Sequence, residues 1–451
     1  MNKLNKKIEL WVVGLIVVFF IILIILISGV LRDAFLAKKK TPEVLRNVLL
    51  KVAEFPKDVF HIYNHIILGD MNKPPILVKH KSKNRFERYI KKDREALLIL
   101  PRYDHNLERS VVEVIELNNF KIIHTYKHDI LEMYKRIKNM KEFARLTTDD
   151  SPIRFEYRHP LILNDGSLIS DSDYSPEFKI DFCSNLVWLN DTEVFHHSKE
   201  LDHEGNIWIG GQLRPQSKYL IDFGIKDIND DAIIKINSNG EIIYKKSVIE
   251  LLIENKVGNM SNNLRNTYLD PIHLNDIEPV FENTKFWRKG DLFLSIKRQS
   301  AIVHYRPSEN KVINYIIGPF ANQHDVDIIS DTEISIFNNN NFLIDNEHSE
   351  VTVYNFETKK FRKLFNDSLK KENFKTFSQG LSQILEDGSF MVEEQNHGRI
   401  IFFNKYGQKE WEFVNKDING DIGFISWSRI IEDKNFVRKF KNLINQKKCL
   451  N

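Results

Sequence analysis

Cysteine is scarce: the 451 residues contain two, Cys183 and Cys449, which excludes a disulfide-rich scaffold and a cysteine-based zinc module. Glycine (18) and proline (13) are few and scattered, so long low-complexity tracts are excluded as well. Neither a GxxxxGK[ST] loop nor a GxGxxG fingerprint occurs, which weighs against nucleotide-driven chemistry. Charge of one sign is not in excess either. The 65 Lys and Arg residues face 62 Asp and Glu, leaving a net charge of +3 and little support for a nucleic-acid partner.

One long hydrophobic run is present. Trp11 to Leu31 reads WVVGLIVVFFIILIILISGVL without a charge, and roughly 20 apolar residues at 1.5 Å each span a bilayer core. A cleavable signal has an apolar region of about 7–15 residues followed by small residues. The exit here, Ser28-Gly29-Val30-Leu31-Arg32, matches that poorly. The expectation is a short tail over 1–10 and an uncleaved transmembrane signal anchor over 11–31. Lys3, Lys6 and Lys7 precede the run and Arg32, Lys38, Lys39 and Lys40 follow it, so charge alone sets no orientation.

Residues 32–95 are expected to form a helical stalk and linker, with Val44, Leu45, Val48, Leu49, Val52 and Phe55 at helical spacing and proline breaks at Pro56 and Pro74-Pro75. Beyond about 95 the texture becomes that of strands and turns. Asn164-Asp165-Gly166, Glu204-Gly205-Asn206, Ser238-Asn239-Gly240, Lys289-Gly290-Asp291 and Glu386-Asp387-Gly388 each open into an apolar run. Strand pairs such as AIIKINSNGEIIYK and RIIFFNKYGQKEWEFV follow several of them. The weak repeat of about 40–60 residues is in the range of four-stranded propeller blades. An all-β, six-bladed β-propeller over 96–435 is therefore expected, ahead of a tandem sandwich or a β-helix. A helical interruption falls near 129–145, and a basic tail occupies 436–451.

Functional residues of a propeller gather at one mouth of its channel. Four segments place histidine or a cation beside polar groups at a strand signal: HHSKELDHEGNIW, DPIHLND, LSIKRQSAIVHY and GPFANQHDVDII. Each is weak by itself. Together they describe a histidine-rich, cation-containing mouth suited to an anionic substrate.

The four segments, in this order, resemble the arylsulfate sulfotransferase family, as do Gly380-Leu381-Ser382-Gln383 and Lys409-Glu410-Trp411-Glu412-Phe413. The resemblance covers roughly 100–435. It implies a six-bladed exported enzyme that moves a sulfuryl group from an aryl sulfate to a phenolic acceptor, without a nucleotide donor or any cofactor. It assigns His324 as the transient carrier through a sulfohistidine, with His273 and His197 as further catalytic groups. It also assigns Asn275, with His273, as a donor to the sulfuryl oxygens. Neutral imidazole suits the carrier role near pH 7, and a loose transition state needs positioned donors and cations.

The family has arginine where this chain has Lys297, so the substrate-binding cation is expected to be Lys297, or Arg298 if the strand bulges. His196 is expected to face away from His197. Cys183 and Cys449 lie far apart in sequence and no structural disulfide is expected. Asp276 and Asp325 were weighed as outer partners of a His₃ metal site, which the resemblance disfavours. The rival readings are a non-catalytic propeller binding an anionic ligand and a metal-dependent ester hydrolase. The partners expected are small molecules and the membrane, with the catalytic domain periplasmic or extracellular.

Overall fold

The computed structural model describes residues 10–35, 48–49, 51–52, 55, 59, 74, 76–143, 146, 151–225, 228–258, 269–340 and 348–449. Most of the expected stalk lies outside the described residues; those described at 48, 49, 51, 52, 55 and 59 are helical. The chain divides into two units, with residues 1–72 and 265–267 in the first and the remainder in the second. In the first unit a long helix runs over Leu10–Phe35. Its stretch Trp11–Arg32 is long and apolar enough to cross a membrane.

The second unit is all-β and propeller-like, with five antiparallel sheets among the described residues. In chain order, Leu97–Asp104, Arg109–Glu116 and Lys121–Tyr126 form one sheet, completed on its inner edge by the late strand Arg429–Ile431. Seven strands between Arg158 and Ser247 form the next. Leu274–Pro279, Leu292–Ile296, Ala301–Arg306 and Lys311–Ile317 make the third sheet, and Val326–Ser330, Glu333–Asn338, Glu350–Asn355 and Lys360–Leu364 the fourth. Ser382–Ile384, Phe390–Glu394, Arg399–Phe403 and Lys409–Val414 form the fifth, extended by Phe86–Arg88. Sheet structure thus begins inside the segment expected to be linker.

The turn chemistry explains the hairpins. Gly166, Gly205, Gly240, Gly290 and Gly388, one in each turn singled out above, have φ between 76° and 88°, a region that glycine enters without a Cβ penalty. The helical interruption is present as Ile130–Tyr134, capped by Asp129, and a 3₁₀ turn over Met140–Glu142.

Aromatic side chains fill the seams between sheets. Trp287, Phe293, Phe320 and Phe356 share one seam, and Phe337, Phe374, Phe390 and Phe403 another. Each fully buried side chain of this size contributes about 1.5–3 kcal/mol. Carboxylates stitch the inner strands together. Asp231 accepts from the Leu274 N–H at 2.7 Å, Asp276 from the Val326 N–H at 2.8 Å and Asp325 from the Ser382 N–H at 2.9 Å. Glu393 accepts from both Trp427 and Ser428 N–H at 2.7 Å. Asp276 and Asp325 are thus committed to main-chain amides of the neighbouring strand.

Two expectations fail at the C-terminus. Residues 434–446 form an amphipathic helix, capped by Asp433, whose Val437 and Phe440 are buried in the core with Phe182. Cys183 and Cys449 form a disulfide, with their Cα atoms 5.2 Å apart. Sequence distance misled because the sheets close on themselves. The strand Arg429–Ile431 returns to the first sheet at Leu97–Ile99, so the helix after it passes over the turn carrying Cys183.

Candidate functional site

The strand Leu186–Leu201 changes partners along its length. Its first part pairs with Ser175–Ile180, its second with Ile207–Gln212, and the register shifts between His196 and Lys199. The second part of Leu186–Leu201, inside the seven-stranded sheet, and the edge strands Arg158–Ile162, Leu274–Pro279, Val326–Ser330, Ser382–Ile384 and Arg429–Ile431 give six comparable strand starts. At or just before each of these starts stands a non-glycine residue with positive φ: His159 (44°), His197 (65°), His273 (53°), Asn322 (56°), Gln379 (58°) and Trp427 (64°). Such conformations cost about 1–3 kcal/mol each and persist where the surroundings enforce them, often at functional sites.

These entries fall into two contact groups, one of His159, Trp427, His197 and His273, the other of Asn322 and Gln379 around His324. The His159 ring stacks on Trp427 with centroids 4.2 Å apart and lies 5.8 Å from the ring of His197. Nε2 of His197 is 3.3 Å from Nε2 of His273, and Lys297 Nζ is 3.5 Å from the same His273 nitrogen. The Asp270 carboxylate binds His273 Nδ1 on the other side of the ring. Nδ1 of His273 is therefore the protonated nitrogen, and Nε2 presents its lone pair to His197 and Lys297.

His324 is 1% exposed. Its Nδ1 lies 2.7 Å from Asn339 Oδ1 and 3.0 Å from the Asn322 carbonyl, two acceptors that place the proton on Nδ1. Nε2 then accepts the Gln379 N–H at 2.8 Å. Asn339 is itself held by the carbonyls of Thr376 and Gln379.

Burial and then the charge of Lys297 push the His324 pKa well below its ordinary value. Burial, followed by the neighbouring His196, does the same to His197. Both rings are neutral near pH 7. Burial also lowers the pKa of Lys297, and neighbouring Arg298 adds to this. The site thus holds a buried, neutral imidazole, His324, whose Nε2 accepts the Gln379 N–H, and a cluster in which the His197 and His273 imidazoles meet the Lys297 ammonium group. It can attract an anion, accept a transferred electrophile and move a proton.

The expected residues fare differently. His197, His273 and Lys297 meet directly. Lys297 opens a 3₁₀ turn, Lys297–Gln299, after the strand Leu292–Ile296, and Arg298 in that turn is exposed. Asn275 is 1% exposed and donates its Nδ2 to the Gln323 carbonyl at 2.7 Å. It supports the loop that carries His324, while its Oδ1 is buried without a partner. His196 does not simply face away: its ring is 4.7 Å from that of His197, 4.9 Å from Tyr174, and its Nε2 is 3.5 Å from Asp231. The left-handed turn at His197 overrides the alternation of a flat strand. Among the described residues, no three His, Cys, Asp or Glu side chains are placed to hold a metal ion.

Sequence reading gave Asp270 no role and missed His159, Asn339, Gln379 and Trp427. Their common signal is position, since four of the five stand within four residues of an inner strand or, like His159, at its head. Asn339 instead follows the strand Glu333–Asn338 that pairs beside His324.

An all-β propeller-like unit with a histidine–lysine cluster at its strand starts defines the class. The family model for arylsulfotransferases (ASST) matches residues 164–416, more than half of the chain, and the protein belongs to that family. No curated protein matches it in sequence. Among solved structures, virginiamycin B lyase from Staphylococcus aureus is similar at 10% identity and TM-score 0.33, over 57% of this chain and 70% of that one. Hydrazine synthase of Kuenenia stuttgartiensis gives 10% identity and TM-score 0.38, over 65% of this chain and 70% of that one.

Proposed function

We propose that the protein is a nucleotide-independent aryl sulfotransferase that carries the sulfuryl group on His324. Family membership supports the activity in general. The observation that carries the mechanism is the His324 ring: it is buried, neutral, and fixed by Asn339 with its Nε2 lone pair at the site. In the first half-reaction Nε2 exchanges the Gln379 N–H for the sulfur of the aryl sulfate. The S–O bond to the phenol breaks, and the leaving oxygen takes the Nε2 proton of His273, which enters this half-reaction as the imidazolium and leaves it with a free Nε2 lone pair. In the second half an acceptor phenol gives up its proton to that nitrogen, its oxygen bonds to sulfur, and the N–S electron pair returns to His324. Lys297 and the freed Gln379 N–H stabilise the peripheral oxygens, whose charge dominates a loose transition state.

The reading extends to architecture and location. Taken as two four-stranded blades sharing Leu186–Leu201, the seven-stranded sheet makes six blades with the other four sheets. The six strand entries support that count. The apolar helix Leu10–Phe35 anchors the protein to a membrane, and the disulfide favours an oxidising compartment, periplasmic or extracellular.

Initial rates with 4-nitrophenyl sulfate and phenol, both varied, test the reading. Parallel lines in double-reciprocal plots and loss of turnover in a folded His324→Ala variant are expected. Absence of turnover with several aryl sulfates from folded protein would favour a propeller that only binds an anion.

A further inference from the structure

Asp270 opens the segment DPIHLND without a role of its own in the sequence reading, and its carboxylate binds Nδ1 of His273. Other contacts fix this pair in place. His273 sits in the left-handed region at φ 53°. Its carbonyl accepts the Lys297 N–H and the Ile272 carbonyl accepts the Arg298 N–H, both at 3.1 Å. Gln299 Nε2 reaches the Pro271 carbonyl at 3.4 Å. The segment from Asp270 to His273 is therefore clamped against the turn that supplies Lys297. The charged and titratable groups that face the pair are His197 and Lys297 on the Nε2 side, with His196 and Arg298 near the Asp270 carboxylate.

Resting on the transfer reading above, we propose that Asp270 is the positioning residue that makes His273 the general acid–base of the reaction. The carboxylate fixes the proton on Nδ1, aims Nε2 at the phenolic oxygen, and stabilises the imidazolium formed when Nε2 accepts a proton. When acceptor phenol reacts, its O–H bond breaks and the proton moves to His273 Nε2. The phenolic oxygen forms the new O–S bond as the N–S bond to His324 breaks. When donor reacts, His273 enters as the imidazolium, its Nε2 proton travels to the departing phenolic oxygen, and Nε2 is left with the lone pair that His197 and Lys297 face. Asp270 stays ionised in both steps. His197 and Lys297 compete for the same Nε2 lone pair and hold it in line between proton transfers.

This role differs in leaving-group dependence from simple support of the fold. A nitrophenolate leaves without a proton, whereas an unsubstituted phenol, with a pKa near 10, needs one. Asp270→Asn keeps the shape and removes the charge. It is expected to lower kcat with phenyl sulfate by roughly 10²-fold or more. Adduct formation on His324 from 4-nitrophenyl sulfate should be much less affected, and the pH dependence of transfer to phenol should shift. Asp270→Glu is expected to restore part of the phenyl sulfate rate. Equal losses with both donors and an unaltered pH profile, in a variant with unchanged melting temperature, would overturn the proposal. If Asp270→Asn does not fold, Asp270→Glu read with the same two donors decides, because a shift of their rate ratio is still required. Absence of any adduct in the wild-type protein would instead sink the transfer reading itself, so the two failures are distinguishable.

Discussion

Removing the Cys183–Cys449 bond should destabilise the β unit without abolishing its fold. The bond links residues 266 apart, and the chain-entropy account of closing so long a loop gives about 5 kcal/mol. Measured values for native disulfides are usually about 2–4 kcal/mol, so about 3 kcal/mol is the working figure. The bond also tethers the helix Lys434–Gln446, whose Val437 and Phe440 are buried beside Phe182. Its loss therefore adds fraying of that helix to the global effect. At roughly 2–4 °C per kcal/mol for large domains, the melting temperature should fall by about 6–12 °C. The assay is differential scanning calorimetry of the oxidised protein, the reduced protein and a Cys183→Ala/Cys449→Ala variant. The reduced protein and the variant should melt together, below the oxidised form. A shift below about 2 °C, or two alkylatable thiols in native protein kept under oxidising conditions, would refute the reasoning.

Glu394 is buried among Lys79, His80 and Arg399. Burial raises its pKa, but His80, then Arg399 and Lys79, overcome this and hold it at about 2. A carboxylate depressed in this way stabilises the fold above the ordinary value near 4.5, and that contribution is lost as pH falls from there toward 2. Glu394→Gln should cost roughly 3 kcal/mol at pH 7, and chemical denaturation across pH should show a smaller acid-induced loss than in wild type. Lys297→Ala should lower kcat/KM on the order of 10²–10³-fold by removing the cation at the pocket. Because the Lys297 charge also depresses His324, the same change should raise the His324 pKa and move the acid limb of the pH–rate profile to higher pH; an unchanged limb would count against that charge effect. Lys297→Arg should retain most activity.

Much of the fold was readable because turn chemistry is local. The five glycine turns and the hairpins around Asn239-Gly240 and Tyr406-Gly407 appear where residue types alone place them. The apolar run of Trp11–Leu31 was equally plain, and the helix Leu10–Phe35 includes it. What escaped was created by closure. Cys183 meets Cys449, and Phe86–Arg88 joins the last sheet, through contacts that no local pattern announces. At the candidate site, the sequence singles out His197, His273, Lys297 and His324 because each sits beside polar residues at a strand signal, and the first three meet in the structure. His159 and Gln379 were not, since their role comes from a left-handed turn at the strand entry that their side chains do not encode. Asn275 shows the converse: the residue was found, but the strand geometry turns its amide to the Gln323 carbonyl.

Peptide mapping after a single turnover tests the central claim most directly. Protein mixed with 4-nitrophenyl sulfate in the absence of acceptor, quenched in alkali and digested, is predicted to carry one sulfuryl group on the peptide containing His324, released on adding phenol. A stable absence of that adduct while nitrophenolate is produced, or an adduct on His197 or His273 instead, would contradict it.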